Sequence, residues 1–325
     1  MRCCHVGLAV LALTSCHALL PLSPGPGEDG STDTSRVDGW ADQSSSPDTS
    51  ADTGATPDGP CTWTTFSAPV EITELSSPYI DWAPHLADQG LTIYFSSDRF
   101  PSEGNTYTDL WVATRASTTA PFDAPSSLTT LNSDAPDSDP CVSGDGLEIF
   151  YLRGADIYRA TRAEKDDAFS ASTLVAGLAP GGEAVAAGPF LTRDGLGLYY
   201  HLCTTNNDPN TCDLALATRT APGAAFTFVR KLGEVNNPSY TDGWPTVSAD
   251  GLELFFEAVR PGTSPSIFRA TRASTSAPFG SVVQVSELGV AGDPDLSADG
   301  RTLVFSATGP DDSMAIFMAA RTCVP

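Results

Sequence analysis

Pro245-Thr-Val-Ser-Ala-Asp-Gly251 leads into Leu254-Phe-Phe256, and the chain writes this phrase five times. The other copies are Pro84-His-Leu-Ala-Asp-Gln-Gly90, Pro140-Cys-Val-Ser-Gly-Asp-Gly146, Pro189-Phe-Leu-Thr-Arg-Asp-Gly195 and Pro294-Asp-Leu-Ser-Ala-Asp-Gly300. Proline always stands six residues before glycine, and four or five residues after each glycine sits Tyr94/Phe95, Phe150/Tyr151, Tyr199/Tyr200, Phe255/Phe256 or Val304/Phe305. Each unit then closes on an arginine: Arg115, Arg162, Arg219, Arg272 or Arg321. Seven residues after the first four of these comes Phe122, Phe169, Phe226 or Phe279. Three spaced signals in register define a structural repeat of roughly fifty residues.

Each unit reads as four short strands. The proline-led segment is a brief buried strand with proline at its first residue, where its missing N–H is tolerated. Asp-Gly supplies a tight turn with positive φ; Asp145, Asp194, Asp250 and Asp299 are therefore expected to hold turns by local hydrogen bonds. The β-branched and aromatic run after each glycine forms the second strand. The segment ending in arginine forms the third, and stretches such as Ser127–Leu131 and Val282–Val285 the fourth. Four-stranded units repeated radially are propeller blades, so the fold expected is all-β, a five-bladed β-propeller.

The repeat resembles the WD40-like PD40 repeat of the TolB-like propeller family, whose Pro-x-[Trp/Leu]-Ser-x-Asp-Gly segment precedes an [Ile/Leu]-x-Phe strand. The fourth and fifth copies match it well; the first carries Gln89 in place of aspartate and the third Thr192-Arg193 in place of the serine-containing pair. The resemblance covers residues 66 to 321 and implies architecture, whereas propellers host binding, scaffolding and catalysis alike.

The register also predicts how the ring closes. The last unit ends after its third strand, at Ala315 to Arg321, while Phe66 to Leu75 matches a fourth strand with no first strand before it. Residues 66 to 75 are therefore expected to complete the fifth blade. Two residues beyond Arg321 is Cys323 and five before Phe66 is Cys61, the same slot of the repeat, so a Cys61–Cys323 disulfide is expected. Cys203 and Cys212 bracket the loop containing Asn206 to Asn210 and should form a second bridge, given an oxidising compartment. Cys141 is expected to stay a packed thiol.

That compartment is read from the first residues. Arg2, the apolar run Val6–Leu13 and Leu13-Thr-Ser-Cys16 follow a signal-peptide pattern and resemble a bacterial lipobox. Residues 1–15 are expected to be a lipoprotein signal peptide with Cys16 lipidated, 16–60 a disordered tether rich in Asp, Ser, Thr, Pro and Gly, and 61–325 the propeller. The location expected is a bacterial cell envelope.

Charge and motifs narrow the function. Forty acidic against 17 basic residues leave a formal net charge of −23, and the only lysines are Lys165 and Lys231; such a surface repels nucleic acid. The domain holds two histidines, His85 and His201, and no Gly-x-Ser-x-Gly, His-Glu-x-x-His or Cys-x-x-Cys pattern. No catalytic residue or resident metal is therefore assigned. Just before the blade prolines lie Asp81, Trp82, Asp137, Asp139, Asp242, Trp244 and Asp293, expected at one mouth of the channel. There they serve either as strand caps, as a ligand-binding ring for a glycan or a hard cation such as Ca²⁺, or as carboxyl pairs of a glycosidase. The leading expectation is a non-catalytic module that binds a protein or glycan of the envelope, with a carbohydrate-active hydrolase as the alternative.

Overall fold

The computed structural model describes residues 62–99, 107–179, 184–204 and 212–324. They form five four-stranded antiparallel sheets and one two-stranded ribbon. In chain order the strands are β1 (Thr62–Trp63), β2 (Val70–Glu71), β3 (Asp81–Ala87), β4 (Thr92–Ser97), β5 (Asp109–Thr114), β6 (Ser126–Ser127), β7 (Asp137–Val142), β8 (Glu148–Arg153), β9 (Asp156–Thr161) and β10 (Thr173–Leu174). They continue as β11 (Ala184–Leu191), β12 (Gly197–Thr204), β13 (Cys212–Thr218), β14 (Thr227–Lys231), β15 (Asp242–Val247), β16 (Glu253–Ala258), β17 (Ser266–Thr271), β18 (Gly280–Gln284), β19 (Ala291–Leu296), β20 (Thr302–Thr308), β21 (Met314–Ala320) and β22 (Cys323–Val324). Blades 1 to 4 are β3–β6, β7–β10, β11–β14 and β15–β18, and blade 5 is β19-β20-β21-β2. The protein is a five-bladed β-propeller.

The fifth blade closes as the repeat register requires. Val70 pairs with Met318 and Glu71 with Phe317, and the Ser67 and Ile72 amides donate to the carbonyls of Ala320 (2.7 Å) and Ile316 (2.9 Å). Phe66 takes the slot of the missing phenylalanine, with the Arg321 guanidinium 5.0 Å from its ring centre. Beyond it, β1 pairs with β22, setting Trp63 opposite Cys323. Cys323 is disulfide-bonded; its expected partner Cys61 and the lipidation site Cys16 lie outside the described residues. Cys203 and Cys212 are bridged, and Cys141 is a buried free thiol.

The Asp-Gly aspartates hold turns. In the second and fourth copies a serine hydroxyl reaches the aspartate (Ser143–Asp145 2.5 Å, Ser248–Asp250 2.6 Å), which accepts the amide two residues on. Gly146 and Gly251 supply φ of 76° and 73°, conformations that a Cβ makes costly.

The innermost strands depart from expectation. Each begins three residues or more before its proline, and proline sits mid-strand immediately after a β-bulge, the register shifting at Trp82/His85, Ser138/Cys141, Ala187/Phe190, Gly243/Thr246 and Gly292/Asp295. A bulge leaves residues outside the ladder, so proline's missing donor costs no pairing there. The outermost strand of blade 1 is also shorter than expected, because Leu131 turns back onto Leu128 (2.8 Å) rather than extending the sheet.

The apolar core is divided among the junctions. Phe95, Trp111, Val304 and Ile316 join blades 5 and 1, for example, and Phe150, Tyr200 and Phe226 join blades 2 and 3. At about 1.5–3 kcal/mol per fully buried large apolar side chain, each junction contributes several kcal/mol. The repeated arginines add a polar stitch. All five donate Nε to the carbonyl of their own blade's turn glycine at 2.6–2.7 Å. Arg115, Arg162, Arg219 and Arg272 stack on the phenylalanine seven residues on, at 4.2–4.8 Å; cation–π attraction is the reason for that spacing. Four then cross to the preceding blade: Arg162 to the Tyr94 hydroxyl (3.4 Å), Arg272 to Tyr199, and Arg219 and Arg321 to Glu148 and Glu253 (Nη1 3.1 Å each). Blade 5 carries Thr302 and Val304 at the positions equivalent to those partners, and burial lowers the pKa of Arg115.

Replacing Thr302, the counterpart of Glu148 and Glu253, by glutamate gives Arg115 a carboxylate partner. The Thr302→Glu variant is expected to gain about 1 kcal/mol, seen as a higher denaturation midpoint with an unchanged denaturant slope.

Candidate functional site

The bulges build the channel. The residue before each blade proline has a left-handed backbone, with φ of 47° at Ala83, 53° at Asp139, 58° at Gly188, 46° at Trp244 and 49° at Asp293. Non-glycine residues there cost roughly 1–3 kcal/mol each and persist only where their surroundings demand it. The demand comes from the neighbouring blade, which captures the N–H that the bulge frees. Ala83 N–H donates to Ser306 Oγ (3.1 Å), Asp139 N–H to Ser96 Oγ (3.0 Å), Trp244 N–H to His201 Nδ1 (3.3 Å) and Asp293 N–H to Glu257 Oε2 (3.3 Å). The fifth acceptor position is Leu152, which accepts nothing, and the Asp139 carboxylate takes the Gly188 N–H instead.

Side chains at the bulges therefore converge on a central cavity lined by Ala83, Asp139, Gly188, Trp244 and Asp293, with His85, Phe190 and Asp295 one layer deeper. The Trp244 indole N–H donates to Asp139 Oδ1 (3.3 Å), and its ring lies 4.7 Å from that of His201. Asp293 accepts from the Ser306 hydroxyl and the Ala83 amide. The deeper layer is stitched as well: Leu86 N–H donates to Asp295 Oδ2 (2.8 Å), Leu191 N–H to Cys141 Sγ (3.2 Å) and Leu296 N–H to Thr246 Oγ1 (3.2 Å), each from one blade to the one before it.

Electrostatics follow from burial. Burial first, and the Asp293 charge second, push Asp139 up to about 7 against the opposing donors Trp244 and Gly188. Glu257 is raised by burial, then by the charges of Asp293 and Asp139; Asp293 is raised by burial. Burial alone brings His201 down to about 4, so it is a neutral acceptor. Burial opposes charge on His85 too, but the Asp295 carboxylate at 3.1 Å and the Val142 carbonyl outweigh it and raise its pKa. Burial pushes the Cys141 thiol up to about 12, leaving it inert.

Of the residues expected at the mouth, Asp139, Trp244 and Asp293 line this cavity and Asp81, Trp82, Asp137 and Asp242 do not. The correction has a physical cause: with the bulge placed before the proline, a residue three positions ahead lies inside the blade. Asp81, Asp137 and Asp242 are 0% exposed and paired with Arg99 (2.5 Å), Arg153 (2.8 Å) and Arg260 (2.6 Å). Their other oxygens accept the amides of Ser77, Ser133 and Asn237, which fastens the connection from the preceding blade. Trp82 is half-buried, opposite Ser96. Glu257 was not singled out from the sequence and His201 was noted there only as one of two histidines, yet both stand six residues after a repeat glycine, as do Ser96, Leu152 and Ser306. Aligning the copies on glycine exposes that slot as the one whose chemistry varies.

The geometry limits what the cavity accepts. Its open space is about 40 Å³, room for a few waters and far below the roughly 300–1,000 Å³ of small-molecule sites. Among the described residues, the group with metal-ligand spacing is His201, Cys203 and Cys212, not the cavity carboxylates. Its two sulfurs are joined to each other.

No family model matches this chain, and no characterised protein matches it in sequence. Among solved structures it is similar to the catalytic domain of a GH62 α-L-arabinofuranosidase from Coprinopsis cinerea, at 10% identity, TM-score 0.53, covering 81% of this chain and 97% of that one. It is also similar to an α-L-arabinofuranosidase from Lactobacillus brevis, at 13% identity, TM-score 0.52, covering 77% and 94%. A TolB structure from Acinetobacter baumannii gives 13% identity, TM-score 0.45 and coverage of 77% of this chain, which spans 56% of that one. Likeness at these identities shows the propeller fold alone.

Removing a structural aspartate should act on stability. Asp137→Ala removes the carboxylate that pairs with Arg153 and accepts the Ser133 amide, and is expected to cost roughly 2–4 kcal/mol in chemical denaturation.

Proposed function

We propose that the protein is a non-catalytic binding module, anchored to a bacterial envelope by a lipid on Cys16, that presents the channel-mouth face of the propeller to a protein or glycan. The observation carrying this reading is the commitment of the carboxyls at the mouth. Asp139 and Asp293, which line about 40 Å³ of space, and Glu257, which takes the Asp293 amide, all accept inter-blade amides. A glycosidase needs its two carboxyls on opposite sides of a bound sugar with room between them, and a sugar ring does not fit there. Stitching at each junction gives a rigid platform, which suits presentation of a surface.

Antiparallel strands put the connections between blades and the loops between second and third strands on one face, the Asp-Gly turns on the other. The first face carries Tyr79, Ile80 and Tyr107, each more than 40% exposed. No helix among the described residues is long and apolar enough to cross a membrane, and the anchor proposed is the acylated cysteine of Leu13-Thr-Ser-Cys16.

The hydrolase reading draws on the raised carboxyls and on the arabinofuranosidases that share the fold. The two readings separate by assay: no release of arabinose from arabinoxylan or an aryl arabinofuranoside is expected. Turnover that disappears in Glu257→Gln would promote the hydrolase instead. A photo-crosslinking residue at Tyr79 in the native membrane should capture the partner, whereas one at Leu174 on an outermost strand should not; adducts at 174 alone refute the mouth face. The anchor is tested separately. Cys16→Ala should move the protein from the membrane to the soluble fraction, and unchanged partitioning refutes the lipid.

A further inference from the structure

Three carboxyls accept inter-blade amides around the mouth. Asp139 of blade 2 takes the Gly188 amide of blade 3, Glu257 of blade 4 takes the Asp293 amide of blade 5, and Asp293 shares the Ala83 amide of blade 1 with Ser306. The described elements packed around them supply no free compensating charge. Blade 1 offers His85, already engaged by Asp295 of blade 5 at 3.1 Å. Blade 3 offers His201, a neutral acceptor for the Trp244 amide. Blade 4 offers the Trp244 indole as a neutral donor to Asp139. No lysine or arginine lines the cavity.

We propose that Asp139, Glu257 and Asp293 form a proton-operated lock on the ring, closing the blade junctions at the mouth while they share protons and loosening them when all three are ionised. Buried like charges that act on one another cannot all be carried without cost, so the set titrates as a unit. Its members are raised above the ordinary carboxyl range, Asp139 to about 7. The folded state then holds protons that the unfolded chain has released. The contribution to stability is greatest below the unfolded carboxyl values, near pH 4, declines as pH rises through the folded values, and is flat above them. His85, whose pKa is also raised, adds a decline of the same sign, so wild type alone does not isolate the cluster.

Glu257→Gln does isolate it, because glutamine keeps an oxygen for the Asp293 amide and carries no charge. With the full chain, the wild-type melting temperature is expected to fall between pH 6 and 9 by on the order of 5 °C, and the Glu257→Gln profile to fall by less than half as much. Parallel profiles would overturn the proposal. Hydrogen exchange on wild type provides the second measurement, independent of any variant. From pH 6 to 9, after correction for the intrinsic rate, the amides of Ala83, Gly188 and Asp293 should lose about tenfold in protection relative to Leu254 in the blade interior. Constant relative protection would equally overturn it.

Discussion

The structure depends on one hydrogen bond repeated around a circle: the backbone N–H just before each blade proline, given to an acceptor on the preceding blade. A bulge frees that N–H from its own sheet, and leaving it unmet in a cavity this small would cost on the order of 1–3 kcal/mol. The neighbouring blade supplies Ser96, His201, Glu257 or Ser306, or in one case Asp139 from the same ring of bulges. The bond holds residues such as Trp244 and Asp293 at positive φ, and the turned backbone aims their side chains at the axis. Channel chemistry and ring closure thus share one cause, and a change at an acceptor alters both.

From this bond outward, each junction is fastened at successive depths. The bulge amides lie at the mouth, the amides received by Asp295, Cys141 and Thr246 lie deeper, and the arginines lie at the far face. Apolar clusters fill the space between. Charged partners at the far face are largely buried on both sides, as with Arg219 and Glu148. Such a pair adds little net stability over an apolar contact but penalises any arrangement that leaves one charge alone. The arginines therefore act mainly on register, ensuring that each blade meets its neighbour at one height.

Much of the fold was legible because repetition multiplies weak signals. One Pro-x-x-x-x-Asp-Gly segment is a turn with a strand nearby; five in register with an aromatic pair and an Arg-to-Phe spacing are a propeller. The spacing even located the completing strand, since Phe66 had to fill a slot that Arg321 left open. The site was less legible. Asp81, Asp137 and Asp242 look like Asp139 and Asp293 in composition, and only the bulge, which proline marks without specifying, turns one set inward and buries the other. Glu257 and His201 are distant in sequence from the prolines and reach the bulge amides through strand pairing, as partners of Gly243 and Ala187.

The cross-blade arginines also follow a pattern of alternate blades. Successive repeat glycines are 56, 49, 56 and 49 residues apart, at positions 90, 146, 195, 251 and 300. Blades 1 and 3 offer a tyrosine to the arginine that follows, whereas blades 2 and 4 offer a glutamate. Both alternations have a period of two blades, and blade 5 carries the threonine of blade 1 as Thr302 but not its tyrosine. A pattern of period two cannot close on an odd-membered ring. Two blades of the same parity must meet somewhere, and they meet between blades 5 and 1, where the positions equivalent to the arginine's partners hold threonine and valine.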